Sequence, residues 1–417
     1  MIEENRDATV HFLQDLVRAP SVTGKERLCS MVCKRKLEEI GLEIDTWDVD
    51  PDQLRAHPAF NDDIKFPPAD FPISYSNRPN VVGIWDGSSS GRSLILNGHM
   101  DVVTPEPVSK WRHDPWGGEI VNGRLYGRGS LDMKGGMAAM IMALQSIFDS
   151  GLKPKGKVLI ECVIGEESAV GNGTLSSLLR GYNADACVVT EPIGLGLCPA
   201  MRGGLYWRIT IEGKPSHGIK KWEGIDALYL GARMLDALKS LEEELSRTES
   251  HPLYKEYPIA VPVTPDKIRA GVWKGVVAPE CIIEGYFEPL PGRPIKHWEE
   301  AFYDYIKRVA IERLGLKGNL PSVEIIERYP SYEMPPEDRF VQTFKDSYFK
   351  ALHSKPKITG ANGGCDAAIR ALYGGASTVI FGPDGGNAHG IDEFVNLDQV
   401  TECVKVLARV IMDWCGH

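Results

Sequence analysis

Acidic and imidazole side chains recur in this sequence at the points where apolar runs end. They are His99 and Asp101 in NGHMDVV, Asp132 in GRGSLDMKGG, Glu166 and Glu167 in VIGEESA, Glu191 in VVTEPIG, and His389 in GGNAHGIDEF. In an open α/β sheet the carboxyl ends of the strands surround one crevice, so we expect these side chains to meet there. Five carboxylates in one crevice repel each other unless cations neutralise them. The sequence therefore predicts a metal centre, although each residue taken singly also has an ordinary structural explanation.

The spacing of His99 and Asp101 predicts a different role for each residue. The two residues are two positions apart at the end of the apolar run LILNGHMDVV, so on a strand their side chains project to the same face. We expect one ring nitrogen of His99 to bind a metal ion and Asp101 to reach the other ring nitrogen. That contact would fix the tautomer and raise the basicity of the ring.

The order of predicted elements places these residues on an interrupted α/β domain. Strand and helix patterns alternate up to residue 203, which indicates a sheet covered by helices. From residue 204 the predicted order becomes β-α-β-β-α-β, with strands in LYWRITIEG, RAGVWKG, CIIEGYFEP and SVEIIERY, and this order is typical of a ferredoxin-like α+β domain. We therefore predict a catalytic domain formed by residues 1–203 and 331–417, with an inserted domain at 204–330. Residues 51–80, rich in Pro, Asp and Asn, are predicted to form a long loop.

Composition and charge limit the classes of partner. The 417 residues carry a net charge of −10, which disfavours nucleic acid. We see no signal peptide and no apolar run long enough to cross a bilayer, so we expect a cytoplasmic protein without a membrane partner. Nine cysteines, an odd number scattered along the chain, argue against a disulfide framework, and we interpret Cys29 and Cys33 as packing residues.

The motifs NGHMDVV, GRGSLDMKGG, GEESAVGNGTL, TEP and GNAHGIDEFV resemble those of the M20 family of metallopeptidases. Within it they are most similar to the branch of acetylornithine deacetylase and succinyl-diaminopimelate desuccinylase, and the resemblance covers essentially the whole chain. It implies a di-zinc exopeptidase-type catalytic domain with an inserted lid domain that forms a homodimer.

The resemblance also implies a ligand set. His99 and Glu191 would bind one zinc ion, Glu167 and His389 the other, and Asp132 would bridge them; Co²⁺ or Mn²⁺ are alternatives. Each ion would then have three protein ligands and an open position for water, as catalytic zinc requires. The family further implies a cis peptide bond after Asp132.

Two further residues receive catalytic roles by the same resemblance. Glu166 precedes a ligand but is itself free, so it would act as the general base that takes a proton from the metal-bridging water and delivers it to the leaving amine. His217 in EGKPSHGIKK matches the lid histidine of the family and would stabilise the oxyanion, reaching across to the partner subunit. Without the resemblance, His217 reads as a surface residue before a helix.

The residues expected to contact the substrate depart from the family pattern. Relatives that act on N-acyl amino acids carry an Arg before a Pro-Gly in the lid, where this chain has Glu288. They also carry a basic residue shortly after the Asp of a late Gly-rich turn. In this chain the turn contains Gly364 and Asp366, and Ala368 occupies the basic position. Asp226 stands where Asn is usual. These changes favour a neutral or cationic amine, such as a formylated aminopyrimidine; alternatively Arg202, Arg269 or Arg293 binds a substrate carboxylate.

The sequence therefore favours a metal-dependent hydrolase of a linear amide, acting on a small N-acyl amino acid or N-acyl amine. A di- or tripeptidase is the alternative, with Glu288 or Asp226 holding the free α-amine. A non-catalytic binding protein is the least favoured reading, because Glu166 and all five predicted ligands are present. A single structural metal is a further alternative.

Overall fold

Strands and helices alternate along most of the chain, as the sequence predicts. The computed structural model describes residues 2–63, 65, 73–88, 90–316 and 318–417. Its helices are α1 (Arg6–Arg18), α2 (Arg27–Ile40), α3 (Pro51–Leu54), α4 (Gly135–Asp149), α5 (Glu166–Ala169), α6 (Asn172–Leu179), α7 (Ala227–Thr248), α8 (Ile295–Glu312), α9 (Arg339–Leu352) and α10 (Leu397–Cys415).

The strands are mostly short and fall into three sheets. They are β1 (Glu43–Asp48), β2 (Pro79–Trp85), β3 (Leu94–His99), β4 (Glu119–Val121), β5 (Arg124–Tyr126), β6 (Val158–Val163), β7 (Ala186–Val189), β8 (Leu197–Met201), β9 (Gly204–Glu212), β10 (Val263–Ala270), β11 (Glu280–Phe287), β12 (Ser322–Tyr329), β13 (Tyr332–Glu333), β14 (Ile358–Ala361), β15 (Ser377–Ile380), β16 (Gly385–Gly386) and β17 (Phe394–Asn396).

The chain divides into two compact units. The first comprises Met1–Ala200, Met334–Ala361 and Cys365–His417, and the second comprises Met201–Glu333 and Asn362–Gly364. The predicted insertion, residues 204–330, lies within the second unit. The first unit is α/β, which confirms the predicted fold class.

A mixed sheet with a parallel centre forms the interior of the first unit. Its strand order includes β1-β2-β6-β3-β7-β15-β8, and β3 runs parallel to both β6 and β7. Every residue of β3, β6 and β7 is buried, because helices cover both faces of a parallel sheet. The apolar helix α4 packs against α1, α10 and β3, which explains why it is buried on nearly all sides. The carboxyl ends of β6, β3 and β7 consequently lie side by side at one edge.

A four-stranded antiparallel sheet forms the second unit, in the order β10-β11-β9-β12. Along β9 and β11 buried residues alternate with partly exposed ones, so one face of the sheet packs against α7 and α8. Trp207, Ile209 and Phe302 are central to this core. Each fully buried apolar side chain of this kind contributes about 1.5–3 kcal/mol relative to an exposed one.

Two local predictions need correction. The strand predicted in RAGVWKG ends at Ala270, because Gly271 and Gly275 have φ of +78° and +76° and turn the chain. The segment 51–80 contains α3 and the start of β2, so it is not wholly a loop; residues 64 and 66–72 of it lie outside the described residues. Helix α2 ends at Gly41, whose φ of +87° lies in the left-handed region that glycine adopts readily.

Other features bear on the site only indirectly. No helix of the described residues is both long enough and apolar enough to span a bilayer. All nine cysteines are buried and free.

Candidate metal centre

Three neighbouring parallel strands deliver acidic and imidazole groups to one edge of the sheet. β3 ends at His99, β6 leads through Gly165 into Glu166 and Glu167, and β7 leads into Glu191. His389 comes from the segment between β16 and β17, and Asp132 from a buried turn before α4. The structure thus brings together the residues that the sequence singles out for metal chemistry.

The carboxylate of Asp132 lies between the two imidazoles. Its Oδ1 is 3.2 Å from Nε2 of His99, and its Oδ2 is 3.3 Å from Nε2 of His389. In the described part of the chain, His99, Asp132 and Glu167 each offer one ligand atom, and these atoms lie within 4.8 Å of one another. The peptide bond between Asp132 and Met133 is cis, as the family resemblance implies.

Each imidazole has a further carboxylate of its own. Nε2 of His99 lies 3.6 Å from Oε1 of Glu191 and 3.8 Å from Oε2 of Glu166. Nε2 of His389 lies 3.1 Å from Oε2 of Glu167. The arrangement therefore consists of two adjacent groups that share Asp132.

Asp101 supports the site through its main chain and its side chain. Its backbone carbonyl lies 2.9 Å from Nδ1 of His99 and accepts that N–H, while its carboxylate Oδ1 is 3.7 Å from the same nitrogen. The carboxylate accepts the backbone N–H groups of Glu166 and Glu167, at 3.2 and 3.0 Å. Asp101 therefore orients the ring and also holds the turn that carries both glutamates.

The tautomer of His99 decides what the site can bind. Because a carbonyl only accepts, Nδ1 carries the proton and the neutral ring turns an unprotonated Nε2 toward Asp132 and Glu191. A lone pair facing carboxylate oxygens is unfavourable unless a proton or a cation lies between them. The site accordingly favours positive charge at this position.

Burial and neighbouring charged groups shift the pKa values of the acidic and imidazole side chains of the site. Burial raises the pKa of Glu166 and of Glu191 well above the usual range, and neighbouring carboxylates act in the same direction. Burial alone would lower the pKa of His99, but Glu191 and Asp132 raise it well above its usual value. Hydrogen bonds to Asp132 and Glu167 raise the pKa of His389.

The donor set fits divalent cations. Oε1 of Glu167 is buried and has no hydrogen-bond partner among the described residues, so one ligand oxygen is left for another species. Imidazole nitrogens together with carboxylate oxygens are ligands that Zn²⁺, Co²⁺ and Mn²⁺ accept. Neutralising the buried carboxylates would remove the charge repulsion that raises their pKa values.

Two buried glutamates of the first unit were not singled out by the sequence analysis. Glu161, on β6, accepts hydrogen bonds from Asn97 at 3.0 Å and from Arg370 at 2.6 Å. Glu393 accepts backbone N–H groups around Asp132. The only sequence signal for Glu393 is its place in GIDEFV, four residues after His389.

Asp366 belongs to the first unit and is buried. Thr174 donates to its Oδ2 at 2.8 Å, and in the part of the chain that the structure describes its Oδ1 has no hydrogen-bond partner. Burial raises its pKa to about 6.

The other predicted substrate contacts lie in the second unit. Glu288 accepts a hydrogen bond from the hydroxyl of Tyr329 at 3.2 Å. Arg202 is buried and stacks over the rings of Tyr254 and Tyr257. A β-carbon at Gly364 would come within 2.3 Å of the Tyr329 ring, so this position has no room for a side chain.

Four further residues of the second unit have local partners or lie at its surface: Asp226, His217, Arg269 and Arg293. Asp226 accepts the backbone N–H of Leu228 and caps α7. His217 is exposed, and its Nδ1 accepts the backbone N–H of Ile219 at 3.3 Å. Arg293 pairs with Glu249 at 2.9 Å, whereas Arg269 is exposed on β10.

Comparisons with known proteins identify a family and several relatives of the chain. Residues 95–413 match the model of peptidase family M20/M25/M40. An N-formyl-4-amino-5-aminomethyl-2-methylpyrimidine deformylase of Bacillus subtilis (strain 168) is 28% identical, with 100% of this chain and 96% of the relative covered. A succinyl-diaminopimelate desuccinylase of Methylobacterium radiotolerans is 33% identical over 59% of this chain and 58% of its own length.

A solved structure shows the same fold. A tripeptidase from Staphylococcus aureus subsp. aureus Mu50 superimposes with a TM-score of 0.76 at 21% identity, covering 99% of both chains. With the family model spanning most of the sequence, the chain belongs to peptidase family M20/M25/M40 and is a metal-dependent amidohydrolase.

Proposed function

We propose that the protein removes an acyl group from a small N-acyl amine, using a pair of divalent metal ions and Glu166 as the general base. The observation that carries the metal pair is Asp132, whose two oxygens face two different imidazoles at 3.2 and 3.3 Å. His99 and Glu191 would hold one ion, Glu167 and His389 the other, with Asp132 shared. Zinc is the expected metal, with Co²⁺ or Mn²⁺ as alternatives. Bound ions of this kind polarise the amide carbonyl and acidify the attacking water.

Glu166 is suited to carry a proton between two positions. It is buried, it lies 3.8 Å from His99, and its backbone is fixed by Asp101. Its carboxylate takes a proton from the attacking water as the oxygen adds to the acyl carbon, and it gives that proton to the amine nitrogen as the C–N bond breaks. The products are a carboxylate and a free amine. As the family resemblance implies, His217 would donate to the developing oxyanion in the site of the partner subunit.

The carboxamide Glu166→Gln tests this role. We expect kcat to fall by about 10²–10⁴, the usual contribution of a positioned general base, while metal content and melting temperature stay at the wild-type values. Glu38→Gln, at an exposed position of α2, is the control and should keep full activity. A Glu166→Gln enzyme that retains wild-type kcat would refute the assignment.

The amine part of the substrate is proposed to lack a carboxylate. Arg370, the basic residue near the Gly-rich turn, is buried and paired with Glu161, so its charge is already used. Arg293 is paired with Glu249, and Glu288 places a carboxyl group, not a positive charge, where relatives acting on N-acyl amino acids carry an Arg. The deformylase relative, which covers the whole chain, acts by its name on a formylated aminopyrimidine. We therefore propose an N-formyl aminopyrimidine or a similar N-acyl amine, with Glu288, Asp226, Arg202, Gly364 and Asp366 as substrate contacts.

Two alternatives remain in the same reaction class. An N-acyl amino acid would need an arginine for its carboxylate, and Arg269 is the exposed candidate. A di- or tripeptide would use Glu288 or Asp226 for its α-amine; the tripeptidase likeness, at 21% identity, supports the fold alone.

A substrate panel with metal-reconstituted protein separates these alternatives. It compares N-formyl-4-amino-5-aminomethyl-2-methylpyrimidine with N-formylbenzylamine, N-acetylornithine, N-succinyl-diaminopimelate and triglycine. We expect the highest kcat/KM for the formylated aminopyrimidine. A clear preference for either acylated amino acid or for triglycine would overturn the proposal for the amine.

We also propose that the second unit forms a homodimer. Five apolar side chains that are at least 66% exposed lie on this unit, and we call them the apolar face: Ile219, Trp222, Tyr229, Val272 and Trp273. The segments that carry four of them are joined by the hydrogen bond from the N–H of Gly218 to the carbonyl of Gly275, at 2.7 Å. Strand β10 is at the edge of its sheet and pairs with β11 alone among the described strands. An exposed edge beside an apolar face is suited to a second copy of the chain, as the family resemblance implies.

A further inference from the structure

Glu393 accepts four hydrogen bonds within the turn that carries Asp132. Its Oε1 accepts the backbone N–H groups of Leu131 and Asp132 at 2.9 and 3.1 Å. Its Oε2 accepts the N–H of Gly129 at 3.0 Å and Nη1 of Arg128 at 2.5 Å. The side chain is 1% exposed, so water does not compete for these donors.

Arg128 connects the same glutamate to the turn that carries His389. Its Nη2 donates to the carbonyl of Gly390 at 3.0 Å and to that of Thr104 at 3.3 Å, and its guanidinium lies 5.2 Å from the Trp111 ring centre. Gly390 directly follows His389, whose φ of +59° lies in the left-handed region that non-glycine residues rarely adopt. This conformation needs surrounding contacts to hold it, and the bond from Arg128 is one of them.

A carboxylate is the only side chain of this size that satisfies all these donors. A glutamine at position 393 has one acceptor oxygen and an amide group that donates, so it would face N–H groups with another N–H. The turn would then lose hydrogen bonds at Leu131 and Asp132 or at Gly129 and Arg128. Either loss frees the backbone that sets the direction of the Asp132 carboxylate.

We infer that Glu393 and Arg128 form a positioning pair that fixes Asp132 between the imidazoles of His99 and His389, and thereby sets the metal affinity of the centre. The inference rests on the proposed metal pair. Neither residue contacts the reacting atoms; each acts through the turn that it holds. Groups of this kind, behind the ligands themselves, typically change metal affinity by about 10–100-fold when they are removed.

The test is a titration of metal-free protein with Co²⁺ alone, followed by visible absorption, and with Zn²⁺ against a chelator of known affinity. For Glu393→Gln we expect about a 10–100-fold weaker binding of the ion held by His389 and Glu167, and an altered Co²⁺ spectrum at that step. His389→Ala, titrated in parallel, identifies which binding step belongs to that ion.

A matched control is available in Glu161→Gln. Glu161 is also buried and paired with an arginine, Arg370, but within the described residues it bonds only to side chains, not to the turns that carry metal ligands. It should lower the melting temperature of the metal-free protein as Glu393→Gln does, and leave both Co²⁺ affinities within about twofold of wild type. Should Glu393→Gln show wild-type Co²⁺ affinities, the pair is merely structural and the inference fails.

A milder variant covers the case in which Glu393→Gln does not fold. Arg128→Lys keeps a positive charge beside Glu393 but cannot also reach Gly390, so the same Co²⁺ step should weaken by about tenfold. Unchanged binding in Arg128→Lys would likewise overturn the inference. A wild-type protein that binds fewer than two ions would instead refute the proposed metal pair.

Discussion

At the scale of single residues, His99 shows how a backbone contact selects a ligand. The carbonyl of Asp101 accepts the Nδ1 N–H at 2.9 Å, so in the neutral ring Nε2 faces Asp132 and Glu191 without a proton of its own. The ring is buried, so solvent does not offset the resulting clash of lone pairs. The same residue that orients the ring therefore also creates the demand for a cation.

Glu288 gives a pH-dependent prediction. Burial raises its pKa from 4.5 to about 7, although Arg202 and Tyr329 act in the opposite direction. The folded protein thus holds this proton more tightly than the unfolded chain, and the stability this contributes is present at low pH and lost as the pH rises through about 7. Glu288→Gln cannot ionise, so its melting temperature relative to wild type should increase between about pH 5 and about pH 8.

Thermal unfolding at intervals of pH measures this difference. Glu300→Gln, at an exposed position of α8, is the control and should show a constant difference from wild type. A difference for Glu288→Gln that is equally flat across the range would contradict the prediction.

Residue types and local spacing were enough to select the residues that meet at the metal centre. His99, Asp132, Glu167 and His389 each stand in a short motif whose apolar neighbours indicate a strand end or a buried turn. The partners that hold them were not predicted, because Glu393 bonds to residues 261–265 positions away in the chain. Spacing carries no information about contacts at that separation. The burial of Arg370 against Glu161, 209 positions away, has no sequence signal for the same reason.

At the scale of elements, the parallel strands β6, β3 and β7 bring residues that are distant in the sequence close together in space. Their carboxyl ends lie together because the strands are adjacent and parallel, so Glu166, His99 and Glu191 converge from distant parts of the chain. The turn after β6 has the sharpest requirement, since Gly165 has φ of +72° immediately before Glu166.

Gly165→Ala tests the importance of that turn. Apart from its chain neighbours, the nearest described atoms to a new β-carbon, in Arg78 and Ser168, lie 3.7 Å away, so the cost is one of backbone conformation, about 1–2 kcal/mol. We expect this loss of stability together with a decrease in kcat/KM on the order of 10–100-fold, because the turn carries both glutamates.

Gly151→Ala is the matched variant for this experiment. Gly151 has φ of +77°, with nothing within 4 Å of its new β-carbon, and lies after α4 away from the metal ligands. It should lose similar stability in urea unfolding and keep wild-type kcat/KM. Equal activity in the two variants would show that the conformation at Gly165 does not matter for catalysis.

Errors at this scale came from turns. The strand predicted in RAGVWKG was placed too late, because Val272 and Trp273 look like strand residues while Gly271 and Gly275 turn the chain. The hairpin of β4 and β5 is missing from the predicted elements, although Asn122-Gly123, with φ of +51° and +75°, is a characteristic hairpin turn. Long apolar runs such as β3 and α4 were predicted correctly, since burial on all sides leaves a strong signal.

At the scale of the whole molecule, the apolar face predicts an oligomeric state. Trp273 is 73% exposed on the second unit, and a charge there would oppose burial against a second copy. We expect the wild type to sediment as a dimer at micromolar concentration and Trp273→Glu to sediment as a monomer. Leu152→Glu, at an exposed leucine of the first unit, should remain a dimer. A monomeric wild type, or a dimeric Trp273→Glu, would exclude this face as the interface.

The three residues Asn362–Gly364 affect how the second unit could be exchanged between enzymes. They belong to the second unit although the sequence on either side belongs to the first, and Gly364 lies directly against the ring of Tyr329. The second unit is consequently formed by two separate stretches of the chain. Exchanging residues 204–330 for those of another enzyme would leave this short strip facing a foreign surface, so a working chimera has to transplant both stretches together.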